Sequence, residues 1–402
     1  MRKRRKRRRR AGMRRLPLLM LAFLMGAAAV LCICTIWNEE AGGPGRDARS
    51  ALLAPSGERL LGETWKTEEQ RKAQAAAEAE EQRKAQAETE KETPKVRVVL
   101  DPGHGGPGIT DEQELGAIYR DTYEKYLTLE IAKALGEELS AYGNVEIFYT
   151  RETDKAMTLK ERAAYAASVG ADVLISLHLN ASEEHNLFGS EVFVSAYDAY
   201  YAYGEGLGVR ILSELSDYGF ASKGVKTRLG SKGDYYGIIR ECRSLGIPAI
   251  IVEHGYMDED RDWARMDSAE ELRSLGRRDA AGIAAFFGLE KGKELTGLSE
   301  PELSEPAASP VQPDVTAPEN VWYTLEKTED GAAEISLYAR EPESRLMYYD
   351  YSLDGGNTWK ELELWTGEDR ICFSVDMESF EEDALVIRVY NNYELRTEAK
   401  RL

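Results

Sequence analysis

Short apolar runs alternate with helical patterns in the middle of this chain, and this alternation limits the possible folds more than any other feature. The runs, rich in β-branched residues, are Val96–Asp101, Val145–Tyr149, Val173–Leu177, Glu191–Ser195 and Ala249–Glu253. Helical periods lie between most of them, for example Leu127, Ile131, Leu135 and Leu139. We therefore predict an α/β domain over residues 95–289, with a largely parallel twisted sheet and helices on both faces.

The first 37 residues predict a membrane anchor. Residues 1–15 hold 11 Lys and Arg and no acidic residue, and the next 22 residues, Leu16 to Trp37, carry no charge. A helix of that length spans about 33 Å, which matches the hydrocarbon core of a bilayer. The positive-inside rule makes residues 1–15 a cytoplasmic tail and residues 16–37 a single transmembrane helix, with the remaining chain outside the cytoplasm. The alternative is a signal peptide cleaved near residues 27–29.

Segments of distinct composition flank the central domain. Residues 38–63 are rich in Gly, Ala and charge without a clear period, and they predict a flexible stalk. Residues 64–93 repeat EEQRKAQA and contain almost no large apolar side chain, which predicts a solvated helical spacer rather than a coiled coil. Residues 290–320 contain five prolines among many Glu and Ser, and they predict an extended linker.

Residues 321–402 predict a second, smaller domain. Short alternating runs at Glu334–Tyr338, Leu346–Ser352, Ile371–Val375 and Val386–Val389 indicate strands. The sequence Asp354-Gly355-Gly356-Asn357 is typical of a hairpin turn. A small antiparallel β-sandwich accounts for this pattern.

Charge limits the partners of the folded domains. Without the basic N-terminal tail, residues 16–402 hold 41 Lys and Arg against 71 Asp and Glu. Binding to nucleic acid depends on a positive field that neutralises phosphates. We therefore exclude nucleic acid as a partner of these domains.

Polar residues follow three of the predicted strands. His104 lies in a Pro- and Gly-rich turn after the first strand, His178 ends the third strand, and Glu253 ends the last one. Because ligands of open α/β sheets sit beyond the carboxyl ends of strands, these side chains are expected to converge. Glu124 shares a helix face with Leu127 and is expected to point inward as well. Two imidazoles and one carboxylate form the ligand set of an open zinc site.

Each of these residues also has a structural interpretation. Taken alone, His104 would fit a phosphate-loop neighbour or a core histidine, and His178 would fit a structural histidine. Asp121 and Glu124 resemble a capping box, in which Glu124 would only satisfy backbone donors at the start of its helix. His185 lies in a polar loop, which favours a peripheral role. His254 follows Glu253 directly, and neighbours on a strand point to opposite faces, so a structural role is expected for His254.

Four motifs in order carry a family resemblance. They are VVLDPGHGG from Val98, EKYLTL from Glu124, SLHLNA from Ser176, and IPA followed by VEHGY within residues 247–256. The chain is similar here to the zinc-dependent N-acetylmuramoyl-L-alanine amidases, over the central domain only. The resemblance implies one zinc ion held by His104, Glu124 and His178, with Glu253 as the catalytic carboxylate. The chain departs from the family at Thr128, where Asn is usual, which leaves substrate detail open.

The resemblance also implies a function and a location. We expect hydrolysis of the amide bond between the lactyl group of N-acetylmuramic acid and L-alanine, with peptidoglycan as partner on the cell-wall side of the membrane. Asn180 and Arg240 are candidates for substrate binding, and a structural role for Arg240 stays open. The alternatives are a zinc carboxypeptidase acting on the stem peptide, and a non-catalytic or activator-dependent wall-binding protein on the same fold.

Overall fold

The computed structural model describes residues 70–81, 95–107, 115–298, 301, 303–329, 331–376 and 381–402. The predicted cytoplasmic tail, transmembrane helix and stalk lie outside these ranges. Among the described residues, no helix combines the length and apolar character needed to cross a bilayer. Of the predicted spacer over 64–93, residues 70–81 are described, and they form helix α1 with every residue exposed.

Ten strands belong to the central domain. They are β1 (Val96–Pro102), β2 (Ile118–Tyr119), β3 (Thr122–Tyr123), β4 (Val145–Tyr149), β5 (Val173–Asn180), β6 (Ser190–Val194), β7 (Ser222–Lys226), β8 (Leu229–Gly230), β9 (Gly233–Asp234) and β10 (Ala249–Tyr256). Six of them form one sheet in the order β4-β1-β5-β10-β6-β7, while β2-β3 and β8-β9 form short hairpins. The sheet is mixed: β6 runs antiparallel to β10, and the other neighbours are parallel. The sequence did not predict β7.

Helices cover both faces of this sheet, as expected. They are α2 (Glu124–Leu139), α3 (Leu159–Ser168), α4 (Asp198–Tyr218), α5 (Gly237–Ser244), α6 (Asp260–Trp263) and α7 (Ala269–Phe287). Successive side chains of a strand point to opposite faces of the sheet, so β5 contributes to the core on each face. Val173, Ile175 and Leu177 pack in the core with α2, α4 and α7. Leu174 packs in the opposite core with α3 and α5.

The C-terminal domain is a sandwich of two four-stranded sheets. Its strands are β11 (Glu319–Lys327), β12 (Ala332–Arg340), β13 (Leu346–Ser352), β14 (Glu363–Leu364), β15 (Arg370–Asp376), β16 (Val386–Asn391), β17 (Arg396–Glu398) and β18 (Lys400–Arg401), with a 3-10 turn at Glu382–Ala384. The orders are β15-β12-β11-β18 and β14-β13-β16-β17. Ile335 and Leu337 of one sheet share a core with Ile387 and Val389 of the other. The pairs are antiparallel as expected, except that β11 and β18 are parallel.

The C-terminal domain packs against the central domain. Phe188 lies in one apolar cluster with Met347, Tyr348 and Leu362, and the hydroxyl of Tyr348 donates to the carbonyl of Phe188. The linker takes part too, because the amide of Val311 donates to the carbonyl of Ala196 at 2.8 Å. The sequence did not predict this association.

Candidate metal and catalytic site

His104 lies in the tight turn that follows β1. Its φ of 60° is in the left-handed region, which residues other than glycine adopt uncommonly. Gly103 has a steric role, because a Cβ atom there would lie 2.3 Å from Cε1 of His178. The absence of a side chain at Gly103 therefore allows the two histidines to approach one another. Their ring centroids are 4.9 Å apart.

Glu124 is the first residue of α2 and is 3% exposed. One carboxylate oxygen, Oε2, accepts from the amide of Ala117 at 2.8 Å and lies 3.1 Å from Nε2 of His104. The other, Oε1, accepts from the amide of Leu179 at 3.0 Å and lies 3.0 Å from Nδ1 of His178. The capping-box interpretation is wrong, since Tyr123 is the N-cap residue and no side chain caps this helix.

His104, Glu124 and His178 together form a cluster suited to a metal ion. Their ligand atoms all lie within 4.8 Å of one another. Two atoms that share a tetrahedral zinc ion at about 2.1 Å lie roughly 3.4 Å apart, so the separations of 3.0 and 3.1 Å require only a small adjustment. Two imidazoles and one carboxylate are also the donors of catalytic zinc sites, so the residues present fit zinc.

Electrostatics favour the forms of these side chains that bind metal. Burial acts against the charged carboxylate of Glu124, but hydrogen bonds from His104 and His178 outweigh it, and the pKa of Glu124 falls well below its ordinary value. Burial lowers the pKa of His178, which favours neutral imidazole. Ionised carboxylate and neutral imidazole are the species that coordinate a metal ion.

Glu253 lies beside this cluster on β10. It pairs in register with His178 of β5 on one side and with Glu191 of β6 on the other. Its Oε2 is buried and has no hydrogen-bond partner among the described residues. Burial, with the negative charges of Glu124 and Glu191, raises the pKa of Glu253 well above its ordinary range. A buried carboxylate oxygen without a partner is costly, which marks Glu253 as a group available to water, substrate or a cation.

Two buried arginines hold the His104 turn, and no role for them was predicted from the sequence. Arg162 donates to the carbonyl of His104 at 2.6 Å and pairs with Asp101 at 2.6 Å. Arg151 donates to the carbonyls of Pro102 at 3.0 Å and Gly103 at 2.7 Å. No local pattern in the sequence indicated that either arginine is buried behind this turn.

The other candidate residues occupy different places. Asn180 donates to Oε1 of Glu191 at 2.6 Å. Glu191 pairs in register with Glu253 on the neighbouring strand. Arg240 donates to the backbone carbonyls of Asp234 and Tyr235 at 2.8 and 3.1 Å, so its guanidinium holds a turn. His254 is buried between the carbonyl of His178 and the carboxylate of Asp279, outside the metal cluster.

Comparison with known proteins places this geometry in a family. The sequence profile described as N-acetylmuramoyl-L-alanine amidase matches residues 98–285. The N-acetylmuramoyl-L-alanine amidase CwlM of Bacillus licheniformis is 30% identical over 197 residues, which cover 49% of this chain and 70% of that protein. The chain belongs to the N-acetylmuramoyl-L-alanine amidase family. This confirms the resemblance that the four motifs indicated.

Further relatives match the same part of this amidase. The sporulation-specific N-acetylmuramoyl-L-alanine amidase of Bacillus subtilis is 28% identical over 197 residues, covering 49% of this chain and 70% of that protein. Among solved structures, the catalytic domain of CwlV from Bacillus (Paenibacillus) polymyxa is 25% identical with a TM-score of 0.41, covering 48% of this chain and 97% of that one. The prediction of a peptidoglycan amidase is confirmed through the family, whose profile lies within the central domain.

Proposed function

We propose that this amidase hydrolyses the bond between the lactyl group of N-acetylmuramic acid and L-alanine at a zinc site made by His104, Glu124 and His178, with Glu253 as general base and acid. One observation carries the proposal: three ligand atoms lie within 4.8 Å of one another, and the neighbouring carboxylate of Glu253 has a buried oxygen without a partner among the described residues. When bound, zinc supplies Lewis-acid chemistry that polarises a carbonyl and acidifies water.

Glu253 carries the proton transfers. The charge of a zinc ion bound beside it would favour the ionised form of Glu253, and this carboxylate takes a proton from the attacking water and delivers it to the nitrogen of L-alanine as the amide bond breaks. A single carboxylate performs both transfers because the acceptor of the first step is the donor of the second. The position of Glu253, in register with His178, supports this role.

The ligands are held by the fold before substrate arrives. Glu124 accepts backbone hydrogen bonds from Ala117 and Leu179, which fix both of its oxygens. Arg162 and Arg151 fix the turn that carries His104. Preorganisation of this kind favours metal binding, since the ligands do not have to be ordered when the ion binds.

We also propose that residues 16–37 anchor the amidase in the cell membrane with the catalytic domain on the cell-wall side. The support is the uncharged run after a basic tail, and peptidoglycan lies on that side. The full chain should sediment with membranes and resist carbonate extraction, while a chain lacking residues 1–37 should be soluble. Release of the full chain by carbonate would contradict the anchor.

The activity is tested on purified peptidoglycan. The full chain should release stem peptides with a free N-terminal L-alanine, and Glu253→Gln should lower the rate about 10²- to 10⁴-fold while retaining zinc. Glu130→Gln is the matched control, because Glu130 is exposed and, among the described residues, forms a salt bridge only with Lys133 across one helical turn. Products cleaved elsewhere in the stem would indicate a carboxypeptidase or endopeptidase. Zinc without any product would indicate the wall-binding alternative or a missing activator, and would refute autonomous activity.

A further inference from the structure

A cleft of about 640 Å³ opens beside the proposed catalytic site. Residues of the catalytic domain, the linker and the C-terminal domain all line it, among them Asn180, Arg228, Tyr236, Asp314 and Tyr393. The cleft adjoins the site, because its lining residue Glu191 pairs in register with Glu253, and its lining residue Asn180 lies two positions after His178 on β5. A substrate long enough to pass Glu191 from Glu253 can therefore reach this cleft.

The wall from the C-terminal domain is fixed to the catalytic domain. Glu394 accepts a hydrogen bond from the hydroxyl of Tyr256 at 2.9 Å and pairs with the buried ammonium of Lys223. The side chain of Asn392 donates to the carbonyl of Lys223 at 2.9 Å. These contacts hold the loop with Tyr393 against β7. The C-terminal wall is thus part of the cleft in the folded chain.

Most charges of the cleft are already paired within the protein. Glu191 is held by Lys226, Lys223 and Asn180. Asp314 accepts from the side chain of Asn391 at 2.8 Å. These side chains already have partners within the protein before a ligand binds. They stabilise the walls of the cleft and are not free to bind a ligand.

Arg228 differs from Lys226, the other cation of the cleft, which pairs with Glu191. It is exposed, its guanidinium stacks 4.0 Å from the ring centre of Tyr235, and no carboxylate of the described residues forms a salt bridge with it. Stacking on an aromatic ring orients the guanidinium, and a hydrogen bond to Tyr236 engages one donor and leaves donors on its edge for a further partner. An oriented arginine with free donors is suited to bind a carboxylate.

We propose that this cleft binds the stem peptide of peptidoglycan, that Arg228 binds one of its carboxylates, and that the linker and the C-terminal domain form one wall of the subsite. The inference rests on the proposed function. The charges of the substrate indicate which half Arg228 binds. The lactyl carboxyl forms the amide bond, so the sugar half is uncharged. The stem peptide carries free carboxylates. An unpaired cation beside the site therefore selects the peptide half.

The test uses the full chain and two soluble substrates, muramoyl tripeptides with free carboxylates or with all carboxylates converted to amides. Wild type should show a KM about tenfold lower for the free form, since a hydrogen bond between charged groups contributes about that factor. Arg228→Gln should remove this preference with little change in kcat, and Arg228→Lys should keep part of it. Arg370→Gln is the control, because Arg370 is also exposed and lies over a tyrosine ring, that of Tyr338 in the C-terminal domain.

The outcomes separate the inference from the function on which it rests. Equal KM values of wild type for both substrates, or an Arg228→Gln variant that keeps the full preference, would overturn the inference while the amidase assignment stands. Failure of wild type to cleave either substrate would refute the proposed function and the inference with it. Tyr393→Ala should raise KM for both substrates, and an unchanged KM would overturn the C-terminal wall. If Arg228→Gln does not fold, the substrate preference of wild type and of Arg228→Lys decides.

Discussion

Replacing Arg162 by Met tests whether the buried network behind the His104 turn holds the metal ligands. Arg162 is 3% exposed, and its guanidinium donates to Asp101 at 2.6 Å, to the carbonyl of Pro102 at 2.9 Å and to the carbonyl of His104 at 2.6 Å. Methionine preserves much of the volume and removes every donor. The variant therefore leaves the Asp101 carboxylate buried without its cation and frees the His104 turn.

The size of the effect follows from burial. The side chains of Arg162 and Asp101 are 4% and 2% exposed, and removing one partner of such a pair costs about 3 to 5 kcal/mol. Amide exchange that depends on unfolding of the sheet should then become about two to four orders of magnitude faster. Loss of a group that orients a ligand typically weakens metal affinity about 10- to 100-fold.

Hydrogen exchange followed by mass spectrometry measures the change in amide exchange. It is carried out on the metal-free full chain and followed in peptides from β1 and β5. Zinc titration measures the loss of metal affinity. The control is Arg277→Met, because Arg277 pairs with Glu270 on an exposed surface, where the cost should stay below about 1 kcal/mol. Exchange and zinc affinity of Arg162→Met within the range of the control would refute the argument.

Two further predictions concern steric and electrostatic features of the catalytic domain. Gly103→Ala should weaken zinc binding at least about tenfold, because its Cβ would lie 2.3 Å from the His178 ring; Gly297→Ala, which meets open space, is the control, and equal zinc affinities would contradict the steric role. Burial raises the pKa of Asp262 from 3.8 to about 6, so the folded state binds this proton more tightly than the unfolded chain. Stability should fall by about 3 kcal/mol as pH rises from 4 to above 6. Thermal unfolding of wild type relative to Asp262→Asn measures that loss, and parallel pH curves would contradict it.

Local patterns in the sequence carried the prediction of the strands and of the clustered residues. The short apolar run Val173–Leu177 predicted a strand, and a parallel sheet brings its carboxyl end, with His178, to the same edge as the end of β1. The helical period placed Glu124 on the buried face of α2. The structure brings His104, Glu124 and His178 together. Their role as zinc ligands stays a prediction.

Contacts between distant residues set the limit of sequence reasoning. Arg162 and Asp101 are 61 positions apart, and no local pattern shows that an arginine on a helix is buried against that carboxylate. Strand β7 reads SKGVK, whose two lysines and glycine are typical of a loop. It forms a strand because Glu191 and Glu394 neutralise Lys223 and Lys226 in the folded protein. One of these carboxylates comes from the C-terminal domain, so neither β7 nor the shared cleft could be predicted locally.

The nature of the metal centre is the central claim, and zinc K-edge X-ray absorption on the purified full chain tests it most directly. We predict one zinc ion per chain, bound by nitrogen and oxygen atoms. Its spectrum should show the scattering of two imidazoles and no sulfur ligand. In His178→Ala the zinc content should fall sharply, and in Glu253→Gln the content and the protein ligands should remain. Absence of zinc from wild type, sulfur in the coordination shell, or an unchanged zinc spectrum in His178→Ala would contradict the site.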